Sequence, residues 1–335
     1  MEYILARYKN VEKLDYTLEI VTPLFLGGAA PLKAELRTPS LKGVLRFWWR
    51  AVYGPQIIQN RQKNVGVEEL KKREAEIFGS QDSKSKIGIA VSTVDKLEPT
   101  NKRLPKGIEY SVKNHRLGII DYLSYGLSKY EREIRDIKYI KEYIPPSNSL
   151  ILTLYLYGLN ENKKNELIKT LKILHRFGGL GARTRNGFGN LYCKELELSD
   201  TEIKELYKYE MSNFTAFSKN TKVFFFPMRN TWHEALSDVG LAYRKARLSL
   251  EAKHSYEQRG LIATPIVQAQ NREISRGRHA KPFFLHVNKV GNGYQGQILF
   301  MPYKFGGDNN KLFDKYYKAC ENMVKNIKER GGQEL

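Results

Sequence analysis

Residues 178–190, GGLGARTRNGFGN, carry five glycines directly after the helical stretch NKKNELIKTLKILHRFGG and directly before the strand-like NLYCKELEL. A helix stops at such a run, because glycine is a poor helix-interior residue and the usual one just past a helix end. The segment therefore predicts a helix, a tight glycine-rich connection and a strand in succession. Glycines permit positive φ and let a backbone approach a ligand closely, and successive N–H groups can form a nest for an anion. Arg183 and Arg185 supply charge there, with Asn186 beside them. The loop is neither a Walker loop, since GxxxxGK[ST] is absent, nor a dinucleotide fingerprint, since it follows a helix instead of opening one. A glycine-rich structural turn is the competing reading.

Upstream, DYTLEIVT (15–22) alternates polar and apolar residues like a half-buried strand. TPSLKGVLRFWWRAVYG then predicts a helix with Thr38 as N-cap, Pro39 at the first helical position and Gly54–Pro55 as the stop. A second helical stretch, EELKKREAEIFG, is followed by the strands SKIGIAVSTV and LILTLYLYG, with a polar, tyrosine-rich insertion between them from about Lys96 to Pro146. With the insertion set aside, the order is βαββαβ, that of a ferredoxin-like (RRM-like) fold.

Beyond a polar helical linker near Asp200, TKVFFFP predicts a strand, and TWHEALSDVGLAYRKARLSL a helix opened by a Thr231/Glu234 capping box. PFFLHVNKV and YQGQILFMPY form a hairpin around Gly291 and Gly293, and KLFDKYYKACENMVKNIKER is a terminal helix. The chain divides into an α+β domain over 1–200, with an insertion near 96–147 and the glycine-rich loop 178–190, and a less regular α+β domain over 201–335.

Charge then narrows the partner. The 335 residues hold 56 basic and 36 acidic side chains, a formal +20, which favours a polyanion. The first 200 residues carry 34 basic and 23 acidic groups and the remainder 22 and 13, so both halves are expected to meet that partner. No apolar run reaches the ~18 residues of a membrane span, and MEYILARYKN does not open a targeting signal. Cys193 and Cys320 stand far apart, and Ser237 occupies the position where an HExxH begun at His233–Glu234 needs its second histidine. No metal, cofactor or membrane association is expected, and a reducing cytoplasm is the expected compartment.

On a helical projection, Leu41, Val44, Leu45, Trp48, Ala51 and Val52 share one face, and Lys42, Arg46, Trp49, Arg50 and Tyr53 the opposite one. This predicts Trp48 in the core and Trp49 exposed among cations, a stacking surface for a base beside donors for phosphate. Covered by the other domain, the same face would be merely structural. Arg244 and Arg247, with Lys245, cluster at a helix end, where they are expected either to contact RNA or to complement the helix dipole. Arg272, Arg276, Arg278, His279 and Lys281 lie in a stretch without apolar periodicity, predicting a flexible basic loop suited to an RNA backbone or to solvent.

The segments IVTPLFLGGAAPLKAELRTPSLKGVLRFWWRAVYG, EAEIFGS and GGLGARTRNGFGN together resemble the RAMP superfamily of CRISPR-associated proteins. More narrowly, they are similar to the first RAMP subunit of the Cmr complex, the type III-B RNA-guided effector of antiviral defence. The resemblance is dense over 17–80 and 175–192 and weak after 200. It implies two tandem ferredoxin-like domains, neighbouring Cmr subunits, and a place near the guide RNA's 3′ end in contact with single-stranded guide or target RNA. It also implies RNA contact at Gly181, Arg183, Arg185 and Gly187, and at Lys42, Arg46, Trp49 and Arg50.

Other RAMP proteins cut precursor guide RNA without metal, which makes a metal-independent endoribonuclease the alternative. That chemistry needs a general base and acid, most often histidines, and His115, His175 and His279 form no pair legible in sequence. Backbone RAMP slicers are expected to carry an aspartate where LGGAAPLKAELRT has only Glu35. The expectation is an RNA-binding subunit with no catalytic residues.

Overall fold

The computed structural model describes residues 11–59, 61–112, 115–252, 254–307 and 309–335; the opening segment read above for a targeting signal lies outside them. Strand β1 (Val11–Ile20) is followed by helices α1 (Thr38–Ile58) and α2 (Lys63–Phe78) and strand β2 (Ile87–Thr93). The insertion supplies a hairpin, β3 (Glu109–Val112) and β4 (His115–Gly118), a short helix α3 (Ile119–Leu123), and a second hairpin, β5 (Ser128–Glu131) and β6 (Asp136–Tyr139). Then come β7 (Ser149–Tyr157), α4 (Glu161–Phe177) and the short strand β8 (Leu191–Tyr192). β7 pairs antiparallel with β1 and β2, and β1 with β8, giving the order β2-β7-β1-β8. Numbered as four strands this is 2-3-1-4, the ferredoxin-like arrangement.

The second unit repeats it. After the short helix α5 (Asp200–Lys204) come β9 (Lys222–Arg229), α6 (Trp232–Leu248), short helices α7 (Glu257–Ile262) and α8 (Arg272–Arg276), β10 (Phe283–Val290), β11 (Gly293–Phe300), α9 (Asn310–Glu329) and β12 (Gln333–Glu334). The sheet order β10-β11-β9-β12 is again 2-3-1-4. Irregularity is confined to the segment between α6 and β10. The stretch predicted as a flexible basic loop contains α8, capped by the Asn271 side chain.

Local signals account for most boundaries. Thr231 and Glu234 form the reciprocal capping box that starts α6, and Asn160 caps α4. At α1 the prediction is off by one residue and one turn: Arg37 is the N-cap, and the helix runs through Pro55. A proline there denies Ala51 O its intrahelical donor, and Phe217 N supplies a substitute at 2.9 Å. The helix therefore survives, stopping only beyond Ile58.

The glycine-rich connection sews the two sheets together. Asn190 is fully buried. Its backbone accepts from Val21 N, its side chain donates to Gly178 O (2.9 Å), and its Oδ1 accepts from Val287 N (3.0 Å). Asn186 bridges Leu285 in parallel, with Leu285 N donating to Arg185 O at 3.1 Å. One core lies under the first sheet around Leu45, Trp48 and Leu154; the other joins insertion residues Ile119 and Leu123 to Phe188 of the loop and to Leu236 and Phe283.

Two histidines buried where the sheets meet set an acid limit on the fold. Burial, helped by the positive charge of Arg176, lowers His175 to about 4, and burial with the neighbouring His175 lowers His286 to about 3. Unfolded, both titrate near 6.5. Below that pH the unfolded chain binds protons the folded chain refuses. Stability should therefore be insensitive to these residues above about pH 7 and fall by roughly 1.4 kcal/mol per pH unit per histidine between about 6.5 and 4. Urea midpoints measured across pH 7 to 4.5 check this, and the slope should shrink when both are replaced by glutamine.

Candidate nucleic-acid interface

The basic stripe of α1 is engaged largely within the protein. Trp49 is 0% exposed and Trp48 2% exposed, so the predicted exposure of Trp49 is overturned. Its indole Nε1 donates to Glu166 Oε2 of α4 at 3.0 Å, and that carboxylate also takes Lys163 Nζ at 3.1 Å. On the other flank, Glu74 of α2 accepts from Arg46 Nε (2.5 Å) and Arg50 Nη1 (2.7 Å), while Arg46 also donates to Gly79 O. The physical reason is lateral packing: α1 lies between α2 and α4, so the side a projection assigns to solvent is covered by neighbouring helices. Lys42 stands half-buried at the start of the stripe, its pKa lowered by burial and by Arg46. Trp48 sits as predicted, against Phe47, Phe217 and Phe284.

The loop glycines also admit neighbours from the chain itself. Gly181 has φ +85°, and a Cβ there would lie 2.4 Å from Phe25 O; Gly187, at φ +84°, faces Leu236 Cδ1 in the same way. The close approach that the sequence suggested for a ligand is therefore made by the protein. Asn186 donates its side-chain amide to Leu123 O at 2.7 Å. Arg185 donates to Lys281 O and stacks 4.4 Å from the Phe284 ring centre and 5.7 Å from that of Phe47; burial lowers its pKa to about 10, which leaves it charged at neutral pH.

What the loop does instead is form one wall of a cleft of about 620 Å³. Arg183 to Asn186 face Tyr243 and Arg247 of α6, Tyr122 and Tyr125 of the insertion, and His279 to Lys281 of the basic segment. Four basic side chains, Arg183, Arg185, Arg247 and Lys281, converge here from three parts of the sequence, and no Asp or Glu is among the described residues lining the cleft. Arg183 is exposed and takes a left-handed backbone, φ 62°; Gly126 makes room for it, since a Cβ there would lie 2.7 Å from its Nη2. Lys281 is 8% exposed, and neither its Nζ nor Arg247 Nε has a hydrogen-bond partner. Uncompensated buried donors are costly, and here two of them belong to residues lining one cavity whose described lining has no carboxylate.

A second cavity of about 910 Å³ adjoins, sharing Tyr122, Arg247, Ile266 and Gln268 with the first. Arg244 lies in its wall with its guanidinium 3.7 Å from the Tyr110 ring centre and 5.8 Å from that of Tyr122. Exposed Arg272, Arg276 and Arg278 belong to the neighbouring α8 segment. Lys281, the last of that segment, points inward instead, its Nζ 4.1 Å from the Tyr243 ring centre. The tyrosines of the cleft were not singled out from sequence; the tyrosine richness of the insertion was the available signal.

Of the three candidate histidines, the His115 side chain lies outside the described residues, and His175 and His279 do not pair as a general acid and base. Both His175 ring nitrogens are buried without partners. His279 has Nε2 on Leu261 O and Nδ1 on Tyr303 Oη. Among the described residues no cluster of His, Cys, Asp or Glu has the makings of a metal site, and no helix is long and apolar enough to cross a membrane.

Comparison with known proteins places this fold. The chain is 28% identical over 185 residues to the CRISPR system Cmr subunit Cmr1-2 of Pyrococcus furiosus, covering 54% of this chain and 95% of that one. It is 27% identical over 302 residues to Cmr1-1 of the same organism, covering 79% and 80%. The crystal structure of apo Cmr1 from P. furiosus superposes with a TM-score of 0.53 at 18% identity, over 92% of this chain and 96% of that one, a likeness of fold. The family resemblance drawn from the sequence motifs is thus the one the comparisons find. The RAMP superfamily model matches residues 17–192, more than half of the chain and the run from within β1 through the glycine-rich loop to β8, and the chain belongs to the RAMP superfamily.

Proposed function

We propose that the chain is a non-catalytic, RNA-binding subunit of a type III-B (Cmr) CRISPR effector in the cytoplasm, holding single-stranded guide or target RNA near the guide's 3′ end. The observation that carries this reading is the cleft itself: Arg183, Arg185, Arg247 and Lys281 around one cavity, without a lining carboxylate and with two donors unpartnered. The relatives named as Cmr subunits support the assembly, and the +20 net charge supports a polyanionic partner. Arg244, stacked on tyrosines in the adjoining cavity, and Arg272, Arg276 and Arg278 beside it extend the basic surface along a path for the strand.

Single-stranded RNA should bind with weak sequence preference, and log affinity should fall linearly with log salt at about −0.7 per phosphate neutralised. Fluorescence anisotropy across a salt series reads this; a flat response would remove the backbone-contact model. The same RNA should stay intact with Mg²⁺ or with EDTA, because His279 has both ring nitrogens engaged and His175 is buried. EDTA-resistant cleavage that one His→Ala substitution abolishes would make the chain an endoribonuclease.

A further inference from the structure

The Lys281 side chain forms no hydrogen bond or ion pair in the empty cleft. Its ammonium position is enclosed, makes no hydrogen bond, and rests over the Tyr243 ring. The groups facing it are alike in sign or neutral. Arg183 and Arg185 come from the glycine-rich loop and Arg247 from α6, with Tyr122 and Tyr125 from the insertion side and Tyr243 beneath. His279 is tied to Leu261 O and Tyr303, and Tyr303 and Tyr316 lie beyond, toward Arg185. No carboxylate lines the cleft to balance a fourth positive charge.

A phosphodiester would change that balance. It brings one full negative charge and two strong acceptor oxygens, and two residues lining the cleft carry unused donors, Lys281 Nζ and Arg247 Nε. We propose that the cleft seats one phosphodiester of the bound strand, and that Lys281 accepts a proton as the phosphate enters, becoming a charged ligand only in the complex. Burial, with Arg185, Arg247 and Arg183 nearby, holds the pKa of Lys281 well below the ordinary lysine value while the cleft is empty. An adjacent anion restores the charged form. The proton comes from the buffer to the Nζ lone pair, and no covalent bond is made or broken. By linkage, affinity should then fall as pH rises from the free value of Lys281 toward the bound one, by up to tenfold per pH unit. The proposal rests on the RNA-binding reading of the cleft and adds the proton to it.

The test is calorimetric titration of the full chain with a ten-nucleotide oligoadenylate at pH 8, in two buffers of different ionisation enthalpy, beside affinities measured from pH 7 to 9. The wild-type protein should take up protons as the strand binds, at most one per strand. Lys281→Met should bind more weakly, with no uptake and no pH dependence, and Lys281→Arg should keep the affinity while losing the uptake. Lys281→Met should melt no lower than wild type, since it removes a buried amine without a partner. Wild-type binding without proton uptake, or the same uptake in Lys281→Met, overturns the proton link and leaves the RNA reading standing. Failure of the oligonucleotide to bind, or binding that Arg183→Ala does not weaken, overturns the RNA reading of the cleft and the proposal with it.

Discussion

Trp49→Ala should destabilise the protein by roughly 3–5 kcal/mol, the range for deleting a fully buried large aromatic side chain. The indole is 0% exposed, packs against Tyr53 and Phe78, and gives its N–H to Glu166. Its removal leaves a cavity between α1, α2 and α4 and strips a donor from a half-buried carboxylate. Trp49→Phe should cost less, because much of the packing returns while the hydrogen bond does not. Urea unfolding followed by far-UV circular dichroism reads both. A Trp49→Ala variant as stable as wild type but defective in RNA binding would restore the exposed aromatic platform that the helical projection suggested.

The second large effect concerns the ligand. Arg183→Ala combined with Arg247→Ala removes two of the three arginines of the cleft while leaving the paired charges of α1 in place. Charge-assisted hydrogen bonds contribute about 1.5–3 kcal/mol each. The double variant should therefore bind single-stranded RNA on the order of 10²–10⁴-fold more weakly, and its salt slope should shrink by about 1.4, or 0.7 per lost phosphate contact. The matched change on α1, Arg46→Ala with Arg50→Ala, should leave RNA affinity near wild type and lower stability, because it strands the buried Glu74 carboxylate. Anisotropy titrations and urea midpoints on both variants separate the two predictions.

The contrast between these two sites shows what periodicity and local chemistry can reveal. Caps, turns and alternation are short-range, so the Thr231 box and the strand order were legible, and with them the ferredoxin-like arrangement. The position of Trp48 was legible too, since an apolar stripe faces a sheet in many tertiary contexts. Trp49, Arg46 and Arg50 were misread because their partners are remote: Glu166 lies 117 residues from Trp49, and Glu74 lies 28 residues from Arg46. A helical projection knows two faces, core and solvent, and α1 has neighbours on its flanks as well.

The cleft was legible as parts and not as a place. Arg183, Arg185, Arg247 and Lys281 each stood out as basic residues in suggestive settings, yet nothing local tells that a loop after α4, the last turn of α6 and the approach to β10 meet at one cavity. That convergence follows from the second sheet, whose strand β10 takes the glycine-rich loop as a parallel neighbour through Asn186 and Leu285. The roles of the glycines were inverted for the same reason. Positive φ was foreseeable at Gly181 and Gly187, whereas the identity of what approaches them, Phe25 O and Leu236, belongs to the assembled fold.

The most direct measurement is photocrosslinking of the assembled effector to its guide and target RNA, followed by mass spectrometry of the peptide–nucleotide adducts. If the cleft holds the strand, adducts will fall on its aromatic wall, at Tyr122 and Tyr125 of the insertion, and on the peptides carrying Arg183 and Lys281, and they will be lost in the Arg183→Ala/Arg247→Ala protein. Adducts on the α1 peptide around Lys42 and Trp49, with the cleft peptides unmodified, would contradict it.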